Sequence, residues 1–154
     1  MNWRDQDLSV LAEKTVYFFD LDGTIYLGDH LFDGVLELVK TLREKNKSFY
    51  FLSNNSSLST RDYLKKLNKF NLNITSDNLI LSQHPTLDYL KKNGFEKVFL
   101  LGTQSLKNEF LRHGFLLTDL DPEVVVLAFD KELSYENLVK ASYLLQDDIP
   151  YIAT

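Results

Sequence analysis

One stretch limits the folds open to this chain more than any other: Thr15-Val16-Tyr17-Phe18-Phe19-Asp20-Leu21-Asp22-Gly23-Thr24-Ile25-Tyr26, an apolar run cut off by two carboxylates, a glycine and a hydroxyl. Val16 to Phe19 is continuous, β-branched and aromatic, the pattern of a strand covered on both faces in a parallel sheet. Asp20 and Asp22 are two positions apart, so while the chain stays extended their side chains share one side and Leu21 points back to the core. Two carboxylates about 4 Å apart repel by roughly 4 kcal/mol at an effective dielectric near 20. Such a pair calls for a cation, a shared proton, or both.

The rest of the chain alternates strand and helix. Residues 1–14 are a polar lead-in with a faint helical spacing at Leu8 and Leu11. A strand over Thr15 to Asp20 is followed by a glycine-bearing loop through Asp33. That residue is placed to cap a helix whose apolar positions are Val35, Leu36, Val39 and Leu42 and which Arg43 to Lys47 close. A second strand, Phe49 to Leu52, stops at Ser53-Asn54-Asn55-Ser56-Ser57. Strand, helix, strand is the crossover unit of a parallel sheet, and its handedness sets both strand C-termini on one edge. Ser59 or Thr60 caps the next helix, with Tyr63, Leu64, Leu67 and Phe70 on its apolar face. Asn71 to Asp77 breaks it, and Leu79-Ile80-Leu81 is a third strand.

After Ser82-Gln83-His84-Pro85 the pattern restarts. A helix over Thr86 to Asn93 stops at Gly94, a strand covers Lys97 to Leu101, and a helix over Ser105 to His113 stops at Gly114. Glu123 to Phe129 is a further strand, Ser134 opens a helix running to about Asp147, and Pro150 to Thr154 begins one more strand. The expected organisation is α/β with a seam near 82–85, dividing the chain into 1–82 and 83–154. A last strand with nothing after it leaves an open parallel edge, through which two copies can pair as a homodimer.

Composition closes off several classes of partner. The length of 154 residues suits one ordinary domain, and 44% apolar with 25% charged residues describes a globular chain. The net charge of −5 is spread without a basic block, which argues against nucleic acid or an anionic membrane as partner. The absence of cysteine removes disulfides, thiolate metal sites and a cysteine nucleophile. The longest apolar run, Val124 to Phe129, is too short for a signal core or a membrane span, so the cytoplasm is the default compartment.

In open α/β sheets, ligands bind beyond the carboxyl ends of the strands. Two polar clusters fall at such ends, 33 positions apart: Asp20-Leu21-Asp22-Gly23-Thr24 and Ser53-Asn54-Asn55. The first offers negative charge for a metal and a nucleophile. The second offers a hydroxyl, side-chain amides and loop N–H groups that hold an anion beside carboxylates. Together they point to a phosphate ester brought to a carboxylate by a hard, oxygen-loving cation, Mg²⁺, held by Asp20 and Asp22. On this reading Asp20 attacks phosphorus to give an aspartyl-phosphate. Asp22, kept partly protonated by its neighbours, protonates the leaving alkoxide and then activates water. Gly23, Thr24, Ser53, Asn54 and Asn55 are the candidate substrate-binding residues.

Asp20 to Tyr26, then Gly28, Asp33-Gly34 and the strand ending in Ser53-Asn54-Asn55, resemble the haloacid dehalogenase-like hydrolase superfamily, and within it the NagD-like and nitrophenylphosphatase branch. The resemblance implies a Rossmann-like parallel-sheet core with an inserted α/β cap, and a Mg²⁺-dependent phosphatase of small phosphate esters. Its nucleophile falls on Asp20, its acid/base on Asp22, its phosphate-binding hydroxyl on Ser53, and positions contacting the phosphoryl group or substrate on Asn54 and Asn55. Val98 to Gly102 and Val124 to Asp130, each followed by a helix, resemble the start of the cap. The family's lysine and final acidic loop lie after the cap, so the resemblance covers the N-terminal half of a family member and leaves the turnover of this chain alone open. Tyr26 and Asp130 carry faint hints of roles near the site on the same basis.

Other readings compete. Asp-x-Asp-Gly is also a common strand-to-turn junction, and Ser53 to Asn55 is also what a loop looks like when it satisfies its own backbone. An alternative function is a catalytically inactive fragment of this fold, or a phosphate- or metal-binding module. A calcium loop beginning at Asp20 would need glycine and glutamate where Ile25 and Leu31 stand. A phospho-acceptor receiver domain would need an aspartate where the second and third strands end in Ser53 and Ser82. His30, His84 and His113 lack metal-ligand spacing and read as surface or structural residues. Trp3 and the tyrosines read as core and rim, and Lys65-Lys66 and Lys91-Lys92 as solvated helix faces.

Overall fold

The computed structural model describes residues 9–154, so Trp3 and Leu8 lie outside the described residues. The chain forms two compact units, the first ending at Leu52 and the second covering Ser53–Thr154.

In the first unit a short helix α1 (Ser9–Ala12) precedes strand β1 (Val16–Asp20), the hairpin strands β2 (Tyr26–Leu27) and β3 (His30–Leu31), helix α2 (Val35–Glu44) and strand β4 (Ser48–Ser53). β1 and β4 are parallel from Val16↔Ser48 to Asp20↔Leu52, so α2 is the crossover that the strand–helix–strand pattern required. The faces of β1 depart from expectation. Tyr17 and Phe19 are half-buried and share a cavity of about 300 Å³ with Leu38, Thr41 and Leu42 of α2, while Val16 and Phe18 are 44% and 58% exposed. A crossover helix covers one face of a sheet, and among the described residues of this unit nothing else forms a layer over the other. On that open face Phe18 stacks on Tyr50 with ring centroids 5.4 Å apart.

Helix α2 buries Val35, Val39 and Leu42 but leaves Leu36 46% exposed. Its N-cap is Gly34 at φ 83°, with no side-chain cap bond, where the sequence suggested Asp33. The left-handed backbone that turns the chain into the helix is accessible to glycine without steric cost, and it takes the capping position from the aspartate before it.

The second unit begins with α3 (Thr60–Lys69), capped by Ser59, whose hydroxyl accepts the Asp62 N–H at 3.2 Å. Tyr63 and Leu67 are fully buried on its inner face. A 3₁₀ turn (Ser76–Asn78) leads into β5 (Leu79–Leu81), and α4 follows as Gln83–Lys92. That helix starts at Gln83, earlier than Thr86. Pro85 is compatible with this because a first-turn residue has no intrahelical N–H bond to lose.

β6 (Lys97–Leu101), α5 (Gln104–Arg112), a short β7 (Leu116–Leu117) that the sequence did not signal, β8 (Val124–Leu127), α6 (Tyr135–Gln146) and β9 (Tyr151–Ala153) complete the unit. β7-β6-β8-β9 is a sheet whose pairings are all parallel. One face packs Leu87, Leu90, Leu106 and Phe110 of α4 and α5 against Val98, Leu100, Val124 and Val126. The other packs Ala141, Leu144 and Leu145 of α6 against Phe99, Leu101 and Val125. The uninterrupted Val124-Val125-Val126 run is the signature of a strand covered on both sides, and all three valines are fully buried. The fold is thus α/β with parallel sheets. The expected final strand is present as β9, at the edge of the sheet beside β8.

Candidate active site

Within the first unit, β1 delivers Asp20 at its last position and the chain then folds back at once. The Leu21 carbonyl accepts N–H bonds from Thr24 and Ile25 at 3.2 and 3.0 Å, and Gly23 N–H donates to the Tyr26 carbonyl at 2.8 Å. Gly23 sits at φ 85°, a backbone that a side chain would strain, which explains the glycine directly after the second carboxylate. Leu21, Ile25 and Tyr26 are buried and pin the turn from below, so Asp20, Asp22, Gly23 and Thr24 are left exposed above it. This is the alternation the spacing required: Leu21 inward, both aspartates outward.

Thr24 closes the turn. Its hydroxyl donates to Asp20 Oδ2 at 3.1 Å, which fixes the carboxylate and leaves Oδ1 without a hydrogen bond from the described residues. Among the described residues neither Asp20 nor Asp22 is in an ion pair. Two exposed carboxylates with no cationic partner, all donors oxygen, suit a hard cation that keeps several waters, as Mg²⁺ does. No group of three or more His, Cys, Asp or Glu side chains arranged for a metal occurs among the described residues. The fit therefore rests on Asp20 and Asp22, with water for the remaining positions.

Ser53, Asn54 and Asn55 belong to the second unit. β1–β4 register sets Asp20 opposite Leu52, and Ser53 is the next residue in the chain. Ser53 is 7% exposed, its Oγ accepts the Asn55 N–H at 3.1 Å, and it lies 3.1 Å from the Tyr63 hydroxyl. Tyr63 donates to the Asn55 carbonyl at 3.0 Å, so the Ser53 proton is directed to the tyrosine oxygen. Asn55 Oδ1 accepts both the N–H and the hydroxyl of Ser57, at 3.0 and 2.7 Å. Asn54 is exposed. The loop is thus built around its own hydrogen bonds, and Asn54 together with the Asn55 amide N–H₂ are its uncommitted donors. Tyr63 is the residue that sequence reasoning missed. It stands on the apolar stripe of α3, where an aromatic reads as core, and only its hydroxyl ties it to Ser53.

A profile described as haloacid dehalogenase-like hydrolase matches residues 17–116, a span that contains both clusters. The chain belongs to this family. Among curated relatives of this haloacid dehalogenase-like chain, the sugar-phosphatase AraL of Bacillus subtilis is 33% identical over 138 residues, covering 88% of the chain and 51% of the relative. The chloroplastic phosphoglycolate phosphatase 1A of Arabidopsis thaliana is 28% identical over 155 residues, covering 86% and 43%. Among solved structures, a 4-nitrophenylphosphatase of Thermotoga maritima superposes with a TM-score of 0.86 at 43% identity, over 94% of this chain and 56% of that one. The chain spans about half the length of the curated relatives it matches.

Proposed function

We propose that this chain carries the nucleophile-bearing half of a Mg²⁺-dependent phosphatase that hydrolyses a small phosphate ester through an aspartyl-phosphate. The observation that carries the reading is Asp20: exposed at the end of a parallel strand, clamped through Oδ2 by Thr24, with Oδ1 free to attack. The names of the relatives, a sugar-phosphatase, a phosphoglycolate phosphatase and a 4-nitrophenylphosphatase, support a phosphate ester as substrate.

In the proposed reaction Asp20 Oδ1 forms a bond to phosphorus as the ester P–O bond breaks, and Asp22 gives its proton to the departing alkoxide. Water then attacks the acyl-phosphate, Asp22 takes the proton, and inorganic phosphate leaves with the Asp20 carboxylate restored. Asp20 and Asp22 would hold Mg²⁺, which supplies positive charge that offsets repulsion between the anionic nucleophile and the anionic ester. Gly23, Thr24, Ser53, Asn54 and Asn55 would hold the phosphoryl oxygens. For Ser53 this means turning its proton from Tyr63 to the ligand. The division into a core over 1–82 and a cap over 83–154 belongs to the same proposal, as do a small-molecule partner, the cytoplasm, and pairing of two copies.

The test is release of p-nitrophenol from its phosphate ester in Mg²⁺ by the complete protein and its Asp20→Asn variant. Because Asp20 is exposed, the variant keeps its fold by circular dichroism, and turnover falls to background. An Asp20→Asn protein that retains turnover overturns the mechanism. The second reading, a binding module without catalysis, draws on the self-satisfied Ser53–Asn55 loop and the lack of a third metal-type side chain beside Asp20 and Asp22 among the described residues. Mg²⁺-dependent turnover by the 154-residue chain alone would refute it.

A further inference from the structure

Helices α3 and α5 of the second unit line a cavity of about 320 Å³ whose walls are almost wholly polar: Arg61, Asp62, Lys65, Asn108 and Arg112, with Ser59 and Ser105 at its base. The residues fall on one face of each helix, since 61 and 65 are one turn apart on α3, and 105, 108 and 112 follow at three and four positions on α5. The base is fixed. Ser59 and Ser105 both donate their hydroxyls to Asp62 Oδ2, the former at 2.7 Å, and the Ser59 N–H donates to Ser105 Oγ at 2.8 Å.

The charges around this base do not balance. Among the described residues Arg61, Lys65 and Arg112 are in no ion pair, although Lys65 and Arg112 feel Asp62 through space. Glu109, one turn before Arg112, is buried and takes its bonds from Thr60 and Gln83. Three cations against the one carboxylate of the cavity leave an excess of two positive charges, in a chain whose net charge is −5. Lys65 reads in sequence as solvated charge on a helix face. Its own helix supplies one guanidinium neighbour, Arg61, and the fold adds a second, Arg112 of α5.

We propose that this cavity is a binding site for a phosphate dianion, free or as the head of a small ester. The dianion matches the excess charge, the two guanidinium groups offer paired N–H donors to its oxygens, and Asn108 offers an amide. Asp62 Oδ1, which has no protein hydrogen bond, accepts from a hydroxyl of the ligand. The site involves neither Asp20 nor Ser53, so it stands or falls apart from the phosphatase reading.

The experiment uses the ¹⁵N-labelled chain without Mg²⁺, at about pH 8, where phosphate is a dianion. Inorganic phosphate and glycerol 3-phosphate are titrated separately, with sodium chloride at matched ionic strength as control. The expected result is saturable shifts of the amides of Ser59–Lys65 and Ser105–Arg112, unchanged in Asp20→Asn and weakened about tenfold or more in Arg112→Gln and in Lys65→Gln. Equal affinities for the two probes assign recognition to the phosphate group alone, and a tighter ester assigns it to group and hydroxyls together. Shifts that sodium chloride reproduces, or that persist undiminished in both folded variants, overturn the proposal.

Discussion

Glu109→Gln tests whether the polar network around α3, α4 and α5 is directional. Glu109 is 3% exposed and accepts from the Thr60 N–H at 2.9 Å, the Thr60 hydroxyl and the Gln83 amide at 3.4 Å. The Thr60 oxygen lies 2.8 Å from His84 Nε2, and the Leu81 N–H lies 3.4 Å from His84 Nδ1. With Nδ1 accepting, Nε2 carries the proton, so the chain of donors runs Leu81 to His84 to Thr60 to Glu109. A glutamine has the same volume but replaces one acceptor with two donors. Turned one way, its N–H₂ meets the Thr60 N–H and Gln83. Turned the other way, it meets the Thr60 hydroxyl oxygen, which can accept from it only if the Thr60 proton turns away from its present acceptor. Either orientation leaves at least one buried donor without an acceptor, a loss of about 1–3 kcal/mol. With a urea m-value of roughly 2 kcal/mol/M, the denaturation midpoint falls by about 0.5–1.5 M. Urea titration followed by circular dichroism measures this directly. A midpoint and slope equal to the wild type would refute the directional network and leave Glu109 as one more polar residue that tolerates exchange.

Further outcomes follow from the same structure. Burial of His84 lowers its pKa below the ordinary 6.5, against a smaller opposing pull from Glu109. The unfolded chain therefore binds more protons over that interval, and stability is complete above about pH 6.5 and declines as pH falls below it. His84→Asn should flatten that part of a melting-temperature profile, and an unchanged slope would show that His84 does not contribute. Val125→Ala removes two methyl groups from a fully buried position between helix layers and should cost about 2–3 kcal/mol in the same urea assay, against under about 0.5 for Val16→Ala on the open face. Ser59→Ala removes the cap of α3 and a donor to Asp62, and should lower stability by about 1–2 kcal/mol, with equal midpoints counting against the cap.

The order of elements was written in the sequence because it depends on local pattern. Lys97–Leu101 formed the expected strand without adjustment, Leu79–Leu81 likewise, and the Ser134 cap opens α6 where it was read. Asp20, Asp22, Gly23 and Thr24 converge because the turn is closed by bonds within the seven residues from Asp20 to Tyr26, so the same short stretch that suggested chemistry also builds its geometry. Errors arose where a distant partner or a backbone angle decides. Gly34, not Asp33, caps α2 because the backbone there is left-handed. Helix α4 begins before Pro85, which a sequence reader takes as a break although the first turn accepts it. Phe18 looks like core in any window of sequence, yet it is exposed, since an apolar run states what a strand prefers and not what lies over it. The bonds of Ser53 to Tyr63 and of Glu109 to Thr60 join residues 10 and 49 positions apart, and the Arg61, Lys65 and Arg112 cavity joins two helices. Such pairings carry no local periodicity. Hydrophobic spacing and turn chemistry set which segments form and where the carboxylates emerge, while the partner each polar group finds is decided by packing between segments far apart in the chain.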